Sequence, residues 1–154
     1  MTLYFAYGSN MSRPMMAVRC PTAAAVGAGV LSGWEWLIVG NGYASVRRRP
    51  GATVYGVLWR LQPRDQAALD VYESIGGGLY RRQRLPVRHG EGCVNALVYV
   101  AANQRPGRPQ PGYLNLVLSA GEDWALPEDY LATLSRAAPS AWQGMRRREQ
   151  GEIA

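Results

Sequence analysis

Between residues 22 and 102 the chain repeatedly builds short apolar or β-branched runs and then breaks them with glycine. Glycine inside a strand removes packing and adds entropy to the unfolded chain, so a strand that keeps it does so for a bulge, a corner or a close approach. The stretch from Thr22 to Val39 reads as one long or bent strand interrupted by Gly27, Gly29 and Gly33, and Gly40-Asn41-Gly42 reads as the turn that follows. Tyr43 to Val46 and Val54 to Leu61 read as two further strands around an arginine-rich loop, the second of them central. Tyr80 to Arg88 and Cys93 to Ala102 flank His89-Gly90-Glu91-Gly92 as a hairpin, with Val94, Ala96, Val98 and Val100 on one face. Short turns joining strands that bend at glycines predict an α+β fold: a small mixed β-barrel of five to six strands with helices packed outside.

The helices are written in a different period. Met11 to Val18 reads as a short helix with Pro14 in its first turn and Cys20-Pro21 at its end. Pro63 opens a helix that runs to about Glu73, with Asp65 in the first turn where a carboxylate suits the helix dipole. Tyr113, Leu116, Val117 and Ala120 set a third helix over residues 112–120, and Tyr130, Leu131 and Leu134 a fourth over 127–137, with Gly121 and Pro127 as boundaries. At 154 residues this is one domain, spanning residues 1–138. The polar, basic segment 139–154 shows no periodicity and is expected to be loose, with Trp142 pinning part of it to the core.

Charge and cysteine usage exclude several classes of function. The formal net charge is +6, yet all seventeen basic residues are arginine and they are scattered. The runs Arg47-Arg48-Arg49 and Arg146-Arg147-Arg148 carry no interleaved aromatics, so nucleic acid is not expected as a partner. Cys20 and Cys93 have neither CxxC spacing nor a nearby His cluster; both read as buried filler, with no metal and no cofactor implied. A reduced, cytoplasmic setting follows, since nothing in the chain approaches a signal peptide or a membrane span. His89 belongs to the hairpin turn and is assigned no role.

Two places carry the chemistry. Leu3, Phe5 and Tyr7 alternate as a strand would, and the run breaks at Gly8-Ser9-Asn10 before the first helix. Gly8 is expected to supply a positive φ, and Asn10 or Ser12 to cap the helix. Backbone N–H groups without intrahelical partners then converge on a plausible anion site. The second place is Glu73, at a helix end whose apolar members Leu69 and Tyr72 put it at the edge of a buried face. Partial desolvation there raises a carboxyl pKa towards the value a general base needs at neutral pH.

Tyr4 to Met11 resembles the signature loop of the γ-glutamylcyclotransferase superfamily, Phe-Ala-Tyr-Gly-Ser-Asn followed by an aliphatic residue, with Met11 where leucine is commoner. Leu69-Asp70-Val71-Tyr72-Glu73, the glycine run, Tyr80-Arg81-Arg82 and Leu85-Pro86-Val87 are similar to the block that carries that family's catalytic glutamate. Pro111, Tyr113, Gly121, Leu126, Pro127 and Tyr130 match its closing segment more loosely. The resemblance implies the same compact barrel and a cyclisation of a small-molecule γ-glutamyl amino acid or amine to 5-oxoproline. It assigns Glu73 as the catalytic base and the Tyr7-Gly8-Ser9-Asn10 backbone as the substrate-binding loop; Tyr80 and Tyr113, rigid rings with one hydroxyl each that sit in the matching blocks, are the candidates for closing the pocket. Of Arg81 and Arg82, neighbours in a strand, at most one can face the site. Glutathione-specific relatives carry a different first loop, which ranks intact glutathione low, and the choice of leaving group falls to loops 47–52 and 103–111. The alternative from another class is a catalytically inactive binding module for a small acidic ligand.

Overall fold

A computed structural model describes residues 2–137. Five strands, β1 (Thr2–Ala6), β2 (Ala24–Ile38), β3 (Ala44–Leu61), β4 (Tyr80–His89) and β5 (Gly92–Ala101), close into a barrel in the order β1-β3-β2-β4-β5. All neighbours are antiparallel except β1 and β5, which seal the barrel in parallel through Tyr4 and Leu97. Among the described residues lie four α-helices: α1 (Arg13–Arg19), α2 (Pro63–Tyr72), α3 (Tyr113–Asp123) and α4 (Glu128–Ser135). The expected mixed α+β barrel is therefore present, with five strands. Segment 139–154, including Trp142, lies outside the described residues. No helix among the described residues is long and apolar enough to cross a membrane.

Strand β2 is continuous over 15 residues because its glycines bend it rather than end it. Its register against β3 shifts between Ala25 and Gly27 and again between Ser32 and Trp34. Gly27 and Gly33 sit at those shifts with φ of +141° and +83°, conformations that side-chain-bearing residues resist.

The arginine run is strand, not loop. β3 passes through Arg47, Arg48 and Arg49 without a break and pairs Arg47 with Glu35 and Arg48 with Trp34 on β2. Glu35 accepts from Arg47 Nε and, at 3.1 Å, from Arg49 Nη1, while the Arg48 guanidinium lies 5.7 Å from the Trp34 ring centroid. A single carboxylate and a single indole on the neighbouring strand thus give the run local partners that its composition alone does not reveal.

Alternation along the strands builds two cores. Phe5, Leu31, Val46, Val54, Leu58, Val87, Ala96 and Val98 fill the barrel. The opposite faces, with Tyr4, Leu61, Leu97 and Tyr99, pack outward against Met16, Leu69, Val117, Leu131 and Leu134 of the helices. Strand β5 is consequently buried on both faces towards its C-terminal end. Each leucine so buried contributes about 1.5–3 kcal/mol relative to exposure.

Several details depart from the sequence expectations. Helix α3 runs on through Gly121 to Asp123, and buries Leu114 rather than Leu116. Gly121 is a contact, not a boundary: a Cβ there would meet Leu131 Cδ2 at 2.5 Å, so its absence lets α3 and α4 approach. Cys93 is exposed at the start of β5, while Cys20 is buried with its thiol 3.6 Å from the Asp65 carbonyl. Tyr72 is exposed too, its ring covered on one side by the Arg19 guanidinium at 3.8 Å.

Candidate functional site

The barrel delivers the first loop to the mouth between β1 and α1. After Ala6 the chain turns through a short 3-10 segment, Ser9–Met11, in which the Met11 N–H donates to the Gly8 carbonyl and the Ser12 N–H to the Ser9 carbonyl. Ser12, not Asn10, caps α1 by accepting from the Met15 N–H at 3.3 Å. Gly8 has φ −121° and ψ −137°, so the expected positive φ is absent. Its missing side chain serves space instead, because a Cβ there would stand 2.6 Å from the Tyr113 hydroxyl.

Asn10 is freed from capping and fixed by other partners. Its Nδ2 donates to the Tyr4 hydroxyl at 3.1 Å, and its Oδ1 accepts from Nη1 of Arg19, which also donates to Ser9 Oγ at 3.1 Å. Among the described residues, the backbone N–H groups of Gly8, Ser9 and Asn10 have no acceptor.

These residues form one wall of a cavity of about 270 Å³ whose other walls come from the turn after β2, the C-terminal end of α2, and strands β4 and β5. The cavity brings together all seven residues singled out from the sequence: Tyr7, Gly8, Ser9, Asn10, Glu73, Tyr80 and Tyr113. Three of the tyrosines are held by the backbone. Tyr7 donates to the Tyr99 carbonyl at 2.5 Å, Tyr80 donates to the Ala44 carbonyl at 3.0 Å, and Tyr113 accepts from the Ala44 N–H at 3.2 Å. Both groups of one peptide residue therefore orient two rings of the cavity.

Glu73 caps the C-terminus of α2, its N–H donating to the Leu69 carbonyl at 2.8 Å. Its half-buried carboxyl is pushed up to about 7 by desolvation, against a smaller opposing pull from the Arg19 guanidinium. Burial raises the surrounding phenols as well, and the nearby Glu73 charge adds to that at Tyr4, Tyr7, Tyr80, Tyr99 and Tyr113. Tyr80 reaches about 12. Near neutrality the cavity thus contains a carboxyl able to exchange its proton, ringed by phenols that keep theirs.

Neither Arg81 nor Arg82 lines the cavity; Arg82 reaches back to Asp70 at 3.3 Å. His89 is remote, its Nδ1 2.8 Å from the Ala28 carbonyl, where it ties the β4–β5 turn to β2. Among the described residues no group of three or more His, Cys, Asp or Glu side chains is placed to hold a metal. Sequence reasoning missed Tyr4, Asn41, Tyr43 and Tyr99 in the lining, and Arg19 behind it. The alternation of Leu97, Tyr99 and Ala101 opposite the barrel face was the available signal for Tyr99; nothing local marks Arg19.

The model of the AIG2-like family matches residues 53–134. This chain belongs to the AIG2-like family. The AIG2-like protein is 28% identical to the mouse protein named gamma-glutamylcyclotransferase, over 92% of its own length and 81% of the mouse protein, and equally similar to the human protein of that name. Its fold matches a solved structure of a gamma-glutamyl cyclotransferase with a TM-score of 0.81 at 22% identity, covering 96% of this chain and 98% of that one. It also matches a human structure described as uncharacterized protein loc79017 with a TM-score of 0.82 at 26% identity, covering 90% and 89%.

Proposed function

We propose that this AIG2-like protein is a γ-glutamylcyclotransferase, converting a γ-glutamyl amino acid or amine to 5-oxoproline and the free amino acid or amine. The observation that carries the reading is Glu73: a carboxyl with a pKa of about 7, half-buried in a cavity that the Gly8-Ser9-Asn10 loop also lines. The names of the mouse and human relatives support the same class of reaction.

The substrate carries its own nucleophile. Glu73 takes a proton from the α-ammonium, the freed amine attacks the γ-carbonyl carbon, and a five-membered ring closes as an oxyanion forms. The protonated Glu73 then gives that proton to the departing nitrogen as the γ-amide C–N bond breaks and the carbonyl re-forms, and the ring nitrogen, left with one proton too many by the attack, returns it through the ionised Glu73 to the released amine, leaving a neutral lactam and an ammonium. Holding the substrate curled supplies most of the acceleration, since intramolecular attack in favourable geometry reaches effective molarities of about 10⁵ M or more. The unpaired N–H groups of Gly8, Ser9 and Asn10 are suited to an anion, and each donor aimed at a developing oxyanion is worth about 3 kcal/mol. Tyr80 and Tyr113, immobilised through Ala44, form a rigid wall against which the glutamyl chain bends.

The test is mass-spectrometric detection of 5-oxoproline from γ-glutamyl amino acids and amines, with Glu73→Gln alongside. Product from wild type and none from the folded variant is the expected result. Ligand-induced stabilisation without product from any substrate would leave a binding module in place of an enzyme.

A further inference from the structure

Resting on the cyclotransferase reading, we propose that a second cavity beside the main one is the leaving-group subsite, and that it selects γ-glutamyl substrates whose departing amine carries an uncharged, apolar side chain. The second cavity encloses about 210 Å³ and shares Asn41 and Leu79 with the first. With the glutamyl half engaged by Glu73 and the Gly8–Asn10 loop, the part of the substrate beyond the scissile amide has to extend along the remaining wall. Asn41, Tyr43 and Leu79 form that wall, and the second cavity continues it.

This surface is mostly apolar and carries no charged side chain, its polar members being Asn41 and Asn103. Leu79 is 52% exposed and Tyr43 42%, an unusual display for large hydrophobic residues in the wall of a cleft. The second cavity adds Val39, Ala101 and Ala102. Leu79 is held there by design of the backbone: its N–H donates to the Ser74 carbonyl at 3.2 Å, and its carbonyl accepts from the Ala102 N–H at 3.0 Å. Covering Leu79 with an apolar side chain removes exposed hydrocarbon from water, whereas a charged side chain there would lose hydration without a matching partner.

Gly40 offers a way to fill the subsite. It lines the second cavity, and a Cβ placed on it meets nothing within 4 Å, so Gly40→Leu adds bulk at the subsite's rim without a clash with the fold.

The experiment measures kcat/KM for 5-oxoproline release from γ-glutamyl-leucine and γ-glutamyl-aspartate with the full chain, then repeats both with Gly40→Leu and Leu79→Ser, each checked for folding by circular dichroism. A wild-type preference for the leucine substrate of about tenfold or more, collapsing towards unity in both variants, is expected. Equal turnover of the two substrates, or a preference that survives both folded variants, would overturn the subsite assignment while leaving the cyclotransferase intact. Release of 5-oxoproline from neither substrate, nor from a wider γ-glutamyl panel, would overturn the catalytic reading and the subsite with it.

Discussion

The Tyr113 hydroxyl occupies the space that a side chain on Gly8 would need, 2.6 Å from where its Cβ would stand. Because that same hydroxyl accepts from the Ala44 N–H, any residue larger than glycine displaces a ring that is anchored to the adjoining backbone. Gly8→Ala is expected to cost about 1–3 kcal/mol through overpacking, seen as a lower thermal midpoint, and to reduce 5-oxoproline formation more than stability alone accounts for. Tyr113→Phe removes the hydroxyl oxygen from that contact, so combining the two changes should recover part of the lost stability in a double-mutant cycle.

The raised pKa of Glu73 sets the direction of two pH dependences. Its folded-state value, about 7, stands above the ordinary glutamate value of 4.5, so the folded protein binds the proton more tightly than the unfolded chain does. Between those two values the folded state carries the extra proton, and stability falls as pH rises, by roughly 3 kcal/mol in all. Glu73→Gln is expected to abolish this loss, leaving the variant more resistant to urea than wild type at pH 8 and little different at pH 4.5. On the proposed mechanism the catalytic dependence runs the opposite way: Glu73 must be ionised to act as base, so wild-type kcat/KM should rise with pH through an apparent pKa near 7.

Much of this arrangement was legible in the chain because local chemistry determined it. Period-2 alternation, glycine interruptions and proline-led helix starts place β2, β4, β5 and α2, whereas the Gly-Ser-Asn corner and Glu73 stand out only through their resemblance to the family's motifs. The misreadings share a different cause, since each depended on a partner distant in sequence. Arg47 to Arg49 becomes strand only because Glu35 and Trp34 lie across the register, and Gly8 is required by Tyr113 more than a hundred residues away rather than by its own φ. Likewise Arg19, nine residues beyond Asn10, reaches it only once α1 has folded back on the loop.

Asp65 illustrates a residue whose sequence role was right but too small. It sits in the first turn of α2 as expected, yet it is almost fully buried and accepts from the Gln62 N–H at 2.9 Å and from the Thr22 hydroxyl at 2.7 and 2.8 Å. Asp65→Ala removes the acceptor of the Gln62 N–H and of the Thr22 hydroxyl at once, and should destabilise by about 1–3 kcal/mol in urea unfolding. Because Asp65 does not line the cavity, kcat/KM of the folded fraction should change little at low temperature.

Arg19 connects the two halves of the site. Its guanidinium holds Ser9 Oγ and Asn10 Oδ1, stacks on Tyr72 at 3.8 Å, and pulls the Glu73 carboxyl down against the larger effect of burial. Arg19 is therefore a positioning residue, and its loss should be visible in two separable ways. Arg19→Met should raise KM by loosening the Ser9-Asn10 loop, and should also move the acidic limb of the kcat/KM profile to higher pH, because the opposing positive charge is gone. Arg19→Lys keeps the charge but not the planar, two-donor head, so it should restore the pH profile while leaving KM elevated. If Arg19 merely stabilised the fold, both variants would lower the thermal midpoint and neither would shift the profile, which makes the pH dependence of the Met variant the decisive measurement.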